Sequence, residues 1–237
     1  MPTYLYCLLT APTDESRDVP RGLTGVAGEQ VRRLDGGGIT AWVGTVSPGG
    51  ISRTVETARA HDRVVRGAFD RGVTLLPARS GQVFPSDAHC IDDLERRRLE
   101  LCAALDRVAG CVEMTVHVAL ATQPVPAGAA RSVRETHRGR AYLARIRDNL
   151  RLERDLQAEA ASAGAAIRDE LGELVRGEAT TLLPGARPRG TIAHLIARED
   201  VERYRETVDA RRAMDGSRIL HIAGPYPPYS FTRLGDG

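Results

Sequence analysis

The run Val31-Arg-Arg-Leu-Asp-Gly-Gly-Gly-Ile-Thr-Ala-Trp-Val-Gly-Thr-Val46 decides how the first half of this chain folds. Two β-prone segments, Val31 to Leu34 and Ile39 to Val46, flank Asp35-Gly-Gly-Gly38. Glycine reaches positive φ without a Cβ clash, so this pattern predicts a β-hairpin. The same glycines do not read as a phosphate cradle, because they lack G-x-G-x-x-G spacing and lead into a strand instead of a helix. Upstream, Tyr4 to Thr10 is apolar at nearly every position and fits a strand buried on both faces. A polar loop, Ala11 to Arg21, separates it from the hairpin.

Downstream the period becomes helical. Val55, Ala58, His61 or Asp62, Val65, Ala68 and Phe69 recur at three- and four-residue steps, Ser52 offers an approximate N-cap, and Gly72 ends the helix. Val73 to Arg79 reads as a strand bent by Pro77. Ser86 or Asp87 then caps a second helix running to about Val108, with Leu94, Leu101 and Leu105 inward. Its Glu95-Arg-Arg-Arg-Leu-Glu100 is a solvated face. Gly110 to Leu120 closes this half as a strand, with Glu113, Thr115 and His117 on one side and Val112, Met114, Val116 and Val118 on the other. The order β-ββ-α-β-α-β predicts a ferredoxin-like α+β domain over 1–121, an antiparallel sheet with helices on one face. Residues 122–133, rich in Pro, Ala and Gly, read as a linker.

The second domain, 134–237, begins with the longest helical tract. Leu143, Ile146, Leu150, Leu156, Ala160, Ala163, Ile167, Leu171 and Leu174 mark an apolar stripe, partly heptad-like, between Arg134 and Gly177. A break is expected near Ala163-Gly164, where helix propensity dips by about 1 kcal/mol. Burial of the stripe calls for a helical hairpin or coiled coil. Two strands follow, Glu178 to Leu183 and Gly190 to Ala197, then a charged helix, Arg198 to Met214, and a final strand, Arg218 to Ala223. Together these make a small α+β unit.

After the final strand comes Gly224-Pro-Tyr-Pro-Pro-Tyr-Ser-Phe231. Prolines fix φ and remove N–H donors, so this is an extended segment and neither helix nor inner strand. Aromatic residues are 4% of the chain, and three of them fall within these few positions. Tyr226, Tyr229 and Phe231 are therefore the candidate partner-binding residues. The same tail is expected to pack on the second domain.

Bulk properties exclude several classes. Basic and acidic residues nearly balance, 33 against 31, and every basic residue is arginine. Interspersed charge of this kind gives no one-sided basic surface, so no nucleic-acid partner is expected. No apolar run reaches the roughly 18 to 20 residues that span a bilayer, so no membrane is expected. The start lacks a basic n-region and a small-residue cleavage site, and the protein reads as cytoplasmic. The four cysteines form no C-x-x-C pair and the six histidines fall singly, so no metal site is expected. No G-x-S-x-G elbow or Walker loop occurs, so no catalytic residues are assigned and no cofactor is implied. The alternative class is a small-molecule enzyme or sensor on a ferredoxin-like scaffold, which would need His61, Arg79 and Glu113 to converge on one pocket.

Several phrases occur together in one order: Tyr4-Leu-Tyr6, Gly22-Leu-Thr-Gly-Val26, Ala60-His-Asp-Arg-Val-Val65, Thr74-Leu-Leu-Pro-Ala-Arg79, Gly81-Gln-Val-Phe84 and Gly110-Cys-Val-Glu-Met114. With the closing Ala223-Gly-Pro-Tyr-Pro-Pro-Tyr-Ser-Phe231 they resemble the gas vesicle protein GvpF/GvpL family. The resemblance implies a non-enzymatic two-domain protein of the gas vesicle, a gas-filled buoyancy organelle. It implies a role in assembly or as a minor structural component, with contacts to the shell protein and other accessory gas vesicle proteins.

Overall fold

The computed structural model describes residues 1–10, 13–120, 138–183, 189–215 and 219–232. The expected linker 122–133 and the turn at 184–188 lie outside them. Two compact units result. The first takes Met1–Glu113, Leu195–Glu199 and Gly224–Gly237; the second takes Met114–His194 and Asp200–Ala223.

The first unit opens with β1, Thr3–Thr10, and a one-turn helix α1, Asp14–Arg17. The hairpin follows as β2, Arg32–Gly36, and β3, Ile39–Thr45. Its turn glycines, Gly37 and Gly38, take φ of 60° and 79°, the left-handed region that the sequence demanded. Helix α2, Val55–Phe69, leads to β4, Thr74–Pro77, and the two-residue β5, Val83–Phe84. The sheet order is β2-β3-β1-β4, with β5 also paired to β1, and all four β1 and β2 pairings are antiparallel.

Register explains how β1 is covered. Leu5 pairs with Val43 and Cys7 with Trp42, so Tyr6 is an extra residue, a β-bulge. Leu5 and Leu8 thereby share one face with Ile39, Ala41, Val43 and Leu76. Tyr4 and Tyr6 sit on the other face, where their rings meet His61 of α2. The first face is covered by α3, Asp87–Arg96, and α4, Arg98–Val108, through Cys90, Leu94, Leu101, Leu105 and Val108. Helices therefore cover both faces of this sheet, where helices on one face were expected. A strand apolar at every position needs cover on both sides.

Local signals were read with small errors. Thr54, not Ser52, caps α2 by accepting from the Thr57 N–H at 3.2 Å. Ser86 caps α3, accepting from the His89 N–H. Asp87 instead accepts from the Thr3 hydroxyl at 2.5 Å and from Arg32 at 2.6 Å. The single helix expected to Val108 breaks at Arg97, whose φ/ψ of −100°/11° separates α3 from α4.

The strand expected to close the first sheet, β6, Cys111–Ala119, belongs to a second sheet of order β7-β8-β6-β9. Its other members are β7, Gly177–Leu183, β8, Arg189–Ala197, and β9, Ile219–Tyr226. Alternation along β6 had shown which residues share a face, and that says nothing about which sheet receives them. The long helix α5, Arg138–Leu171, passes through Gly164 without a break. A Cβ at Gly164 would lie 3.3 Å from Glu178 Oε1, so glycine there permits close packing on β7. Gly190 does the same for β8, where a Cβ would come within 2.9 Å of Val118 and 3.1 Å of Ala160. The apolar stripe of α5 is buried at Ala160, Ile167 and Leu171 and exposed at Ile146 and Leu150. α6, Val201–Asp215, runs beside α5, tied by the Arg211–Glu170 ion pair.

Tyr6 marks the tightest point of the first unit. Its hydroxyl accepts the Val26 N–H at 2.7 Å, and burial pushes its pKa to about 12. A Cβ on Gly25 would stand 1.9 Å from that oxygen. Gly25→Ala is expected to destabilise the protein by about 1–3 kcal/mol, because the ring is held by the bulge and has no room to retreat. Urea denaturation measures this, and an unchanged midpoint would show the ring is free to move.

Candidate functional site

β9 runs through Pro225 to Tyr226, three residues beyond the expected end at Ala223. It is the edge strand of its sheet, where a missing N–H costs no ladder hydrogen bond. Beyond it the tail is tied residue by residue to the first unit. The Arg66 guanidinium lies 5.1 Å from the Tyr226 ring centroid, a cation–π contact. Pro227 and Pro228 are buried. Tyr229 donates its hydroxyl to Asp62 at 3.4 Å; burial, and then that carboxylate, raise its pKa, so the donor keeps its proton. Ser230 donates its N–H to Glu113 at 2.7 Å and its hydroxyl to the other Glu113 oxygen at 2.9 Å. Phe231 packs against the cluster that α3 and α4 cover, and Thr232 donates to the carbonyl of Pro77 at 3.2 Å.

Tyr226, Tyr229 and Phe231 are each half-buried. The tail does not belong with the second half of the chain, as expected, but with the first unit. The reason is Glu113: burial raises its pKa, and the two Ser230 donors oppose that shift by stabilising the ionised form. Thr232 also reaches Pro77, the last residue of the edge strand β4.

His61, Arg79 and Glu113 do not converge. His61 is buried, with Nδ1 2.9 Å from the Tyr4 hydroxyl and Nε2 3.0 Å from the Ala78 carbonyl. Since a carbonyl only accepts, Nε2 carries the proton and Tyr4 donates to Nδ1. Burial lowers the His61 pKa, so this ring is a neutral structural link that positions the 78–81 loop, whose Gly81 N–H donates to Tyr4 at 3.0 Å. Arg79 is exposed, and Glu113 holds the tail. The cysteines are free thiols; burial pushes Cys7 and Cys90 up to about 12, far from nucleophilic character. Among the described residues no cluster of three or more His, Cys, Asp or Glu is placed to hold a metal, and no helix is long and apolar enough to cross a membrane.

A cleft of about 1340 Å³ opens in the first unit. Its walls carry Arg53, Arg79, Arg96 and Arg97 and the apolar Val55 and Val83. Sequence reading missed it. These arginines come from a loop, a strand end and the α3–α4 junction, and each one alone looks like ordinary solvated charge. Arg97 is held with its side chain only 15% exposed, donating to Glu100 at 2.8 and 3.1 Å and lying 3.5 Å from Asp93. Asp93 also pairs with Arg96.

Among the described residues of the second unit, His194 and Tyr204 lie buried beside Glu178. His194 Nδ1 shares a hydrogen bond with the Tyr204 hydroxyl at 2.7 Å, while its Nε2 lies 3.4 Å from Glu178 Oε2, outside hydrogen-bonding geometry. Arg168 approaches the same carboxylate oxygen at 3.6 Å. Burial depresses the His194 pKa against the pull of Glu178, and it keeps the Tyr204 phenol protonated.

These features define an α+β protein of two units, with a tied aromatic tail and an arginine-lined cleft. A family model for the gas vesicle synthesis protein GvpL/GvpF matches residues 2–233, and the chain belongs to that family. It is 26% identical over 244 residues to gas vesicle protein F of Streptomyces sp., covering 98% of this chain and 99% of that one. Its fold is similar to the crystal structure of GvpF from Anabaena sp. PCC7120, with TM-score 0.73, 18% identity and 99% and 97% of the two chains covered. It is also similar to GvpF from Microcystis aeruginosa, with TM-score 0.69, 16% identity and 98% and 99% covered.

Two outcomes are expected from this geometry. Glu113→Ala removes both anchors of Ser230 and should cost about 2–3 kcal/mol, as loss of hydrogen bonds to a charged group does. Hydrogen exchange at the Ser230 amide should quicken in that variant; unchanged protection would mean the tail is held elsewhere. The second concerns pH. His61, His117 and His194 all have pKa values lowered first by burial, so below their ordinary value of 6.5 the unfolded chain takes up protons before the folded one. Their contribution is complete above that value and is lost as pH falls below it. The melting temperature should therefore drop between about pH 7.5 and about pH 5.5, and His194→Gln should flatten part of the drop. Identical slopes in the two proteins would remove His194 from the account.

Proposed function

We propose that this chain is an assembly or minor structural protein of the gas vesicle that works in the cytoplasm by binding. Its partners are the gas vesicle shell protein and other accessory gas vesicle proteins, and it performs no catalysis. The observation that carries the reading is the family match across residues 2–233, which includes the aromatic tail. The half-exposed faces of Tyr226, Tyr229 and Phe231 are proposed to contribute to the contact, with their buried faces fixing the segment in an extended form. Preorganisation of that kind lowers the entropy lost on binding.

Deleting the gene in a producing strain should abolish or sharply reduce pressure-collapsible turbidity, and the wild-type gene should restore it. A Tyr226→Ala, Tyr229→Ala, Phe231→Ala triple variant should restore less and co-purify less shell protein. Vesicles formed normally without the gene would overturn the assembly reading. Full restoration and full co-purification by the triple variant would remove the tail from the contact surface.

A further inference from the structure

We propose that the arginine-lined cleft docks an extended acidic segment of a partner protein, which adds as a strand to the open edge of β5. The inference rests on the assembly reading for its biological setting and on three structural observations for its chemistry.

The first is backbone. Among the described strands β5 pairs with β1 alone. The Leu5 N–H donates to the Gln82 carbonyl at 3.0 Å, and Val83 stands opposite Tyr4. The Gln82 N–H closes a turn on the Arg79 carbonyl at 3.1 Å, so Gln82 offers β1 its carbonyl alone; antiparallel ladders alternate, so Phe84 faces β1 and Val83 turns its N–H and carbonyl away from it. Val83 lines the cleft. An edge of this kind is a template for an added strand.

The second is charge. Arg53, Arg79, Arg96 and Arg97 line the cleft, and Asp93 is the one acid among the lining residues; it pairs with Arg96 and Arg97, and Glu100 beyond the lining also pairs with Arg97. In a chain whose charges otherwise balance, this local excess selects a carboxylate-bearing partner. The third is apolar surface. Val55 is 62% exposed and Val83 39% exposed on the same walls. A strand alternates its side chains, so an acidic segment with intervening β-branched residues would meet arginine and valine in turn. A phosphate backbone would match the arginines and leave both the valines and the Val83 edge unused.

The test is fluorescence anisotropy with the full chain and a labelled peptide of about eight residues alternating Glu and Val. The Glu peptide should bind at least about tenfold tighter than its Gln counterpart and weaken as salt rises. Arg53→Glu combined with Arg96→Glu, both at exposed positions, should lose about tenfold. Val83→Pro removes the outward N–H and should also abolish binding. A Glu peptide N-methylated on its pairing amides reads the same backbone contact without altering the protein, and should not bind. Equal or absent binding of the Glu and Gln peptides would overturn the proposal. So would full affinity of the N-methylated peptide, or displacement by a single-stranded oligonucleotide that binds Val83→Pro as well as wild type. Vesicle formation separates the two readings. A chain that restores vesicles yet ignores the Glu peptide overturns the cleft proposal alone. A chain that binds the peptide, and whose deletion leaves vesicles intact, overturns the assembly reading alone.

Discussion

The first unit depends on the extra residue in β1. Without the bulge at Tyr6, strict alternation would place Leu5 and Leu8 on opposite faces. The bulge puts both leucines on the α3–α4 side and directs Tyr4 and Tyr6 toward α2. One irregularity thus supplies two cores from a single strand. The aromatic side is the more polar of the two, since it buries two phenols and an imidazole, yet each finds a partner: Val26 for Tyr6, Gly81 and His61 for Tyr4, Ala78 for His61. Buried polar groups in such a chain are costly when unpaired and rigidifying when complete. Because Gly81 and Ala78 bracket Arg79, the same network sets the position of one wall of the cleft.

The tail meets this core from the other end of the chain. Ser230 and Glu113 are 117 residues apart, and their contact closes a loop that includes the whole second unit. Loop-closure entropy grows only slowly with length, so a bidentate, charge-assisted contact together with Phe231 packing is sufficient to hold it. A segment of three prolines has also lost much of its freedom before it docks, which lowers the entropy lost on ordering. The tail therefore serves the first unit as a fixed strap, and only the outer faces of its rings are left for anything else.

What could be read from the residues was whatever is encoded within a few positions. The glycine turn at Gly37-Gly38, the run of α2 to its end near Gly72 and the apolar stripe of α5 are local matters of φ, spacing and propensity. The address of an element is not local. Glu113 is one of three polar residues on an alternating strand, and nothing near it says that its partner is Ser230. The break between α3 and α4 carries neither Gly nor Pro, and falls where Arg97 turns in to meet Asp93 and Glu100. Prolines 225, 227 and 228 predicted conformation correctly in kind, yet Pro225 still joins β9 because an edge position tolerates it.

The cleft shows why arginine content by itself carried no information. With every cation an arginine and acids nearly equal in number, guanidinium groups are spread over the sequence among carboxylates, and several pair with a neighbouring one. Surface pairs of that sort contribute little to stability. What distinguishes the cleft is the local deficit of acid: its lining holds four arginines and one aspartate, which Arg96 and Arg97 share, with Glu100 beyond the lining also taking Arg97. A guanidinium keeps its charge across the physiological range and presents a planar fork that suits carboxylates. Its planarity also lets it lie flat beside an added strand, where a lysine would point away into water. The deficit becomes selective only because an unpaired strand edge and two exposed valines share those walls, so charge, backbone and apolar contact all describe the same kind of partner.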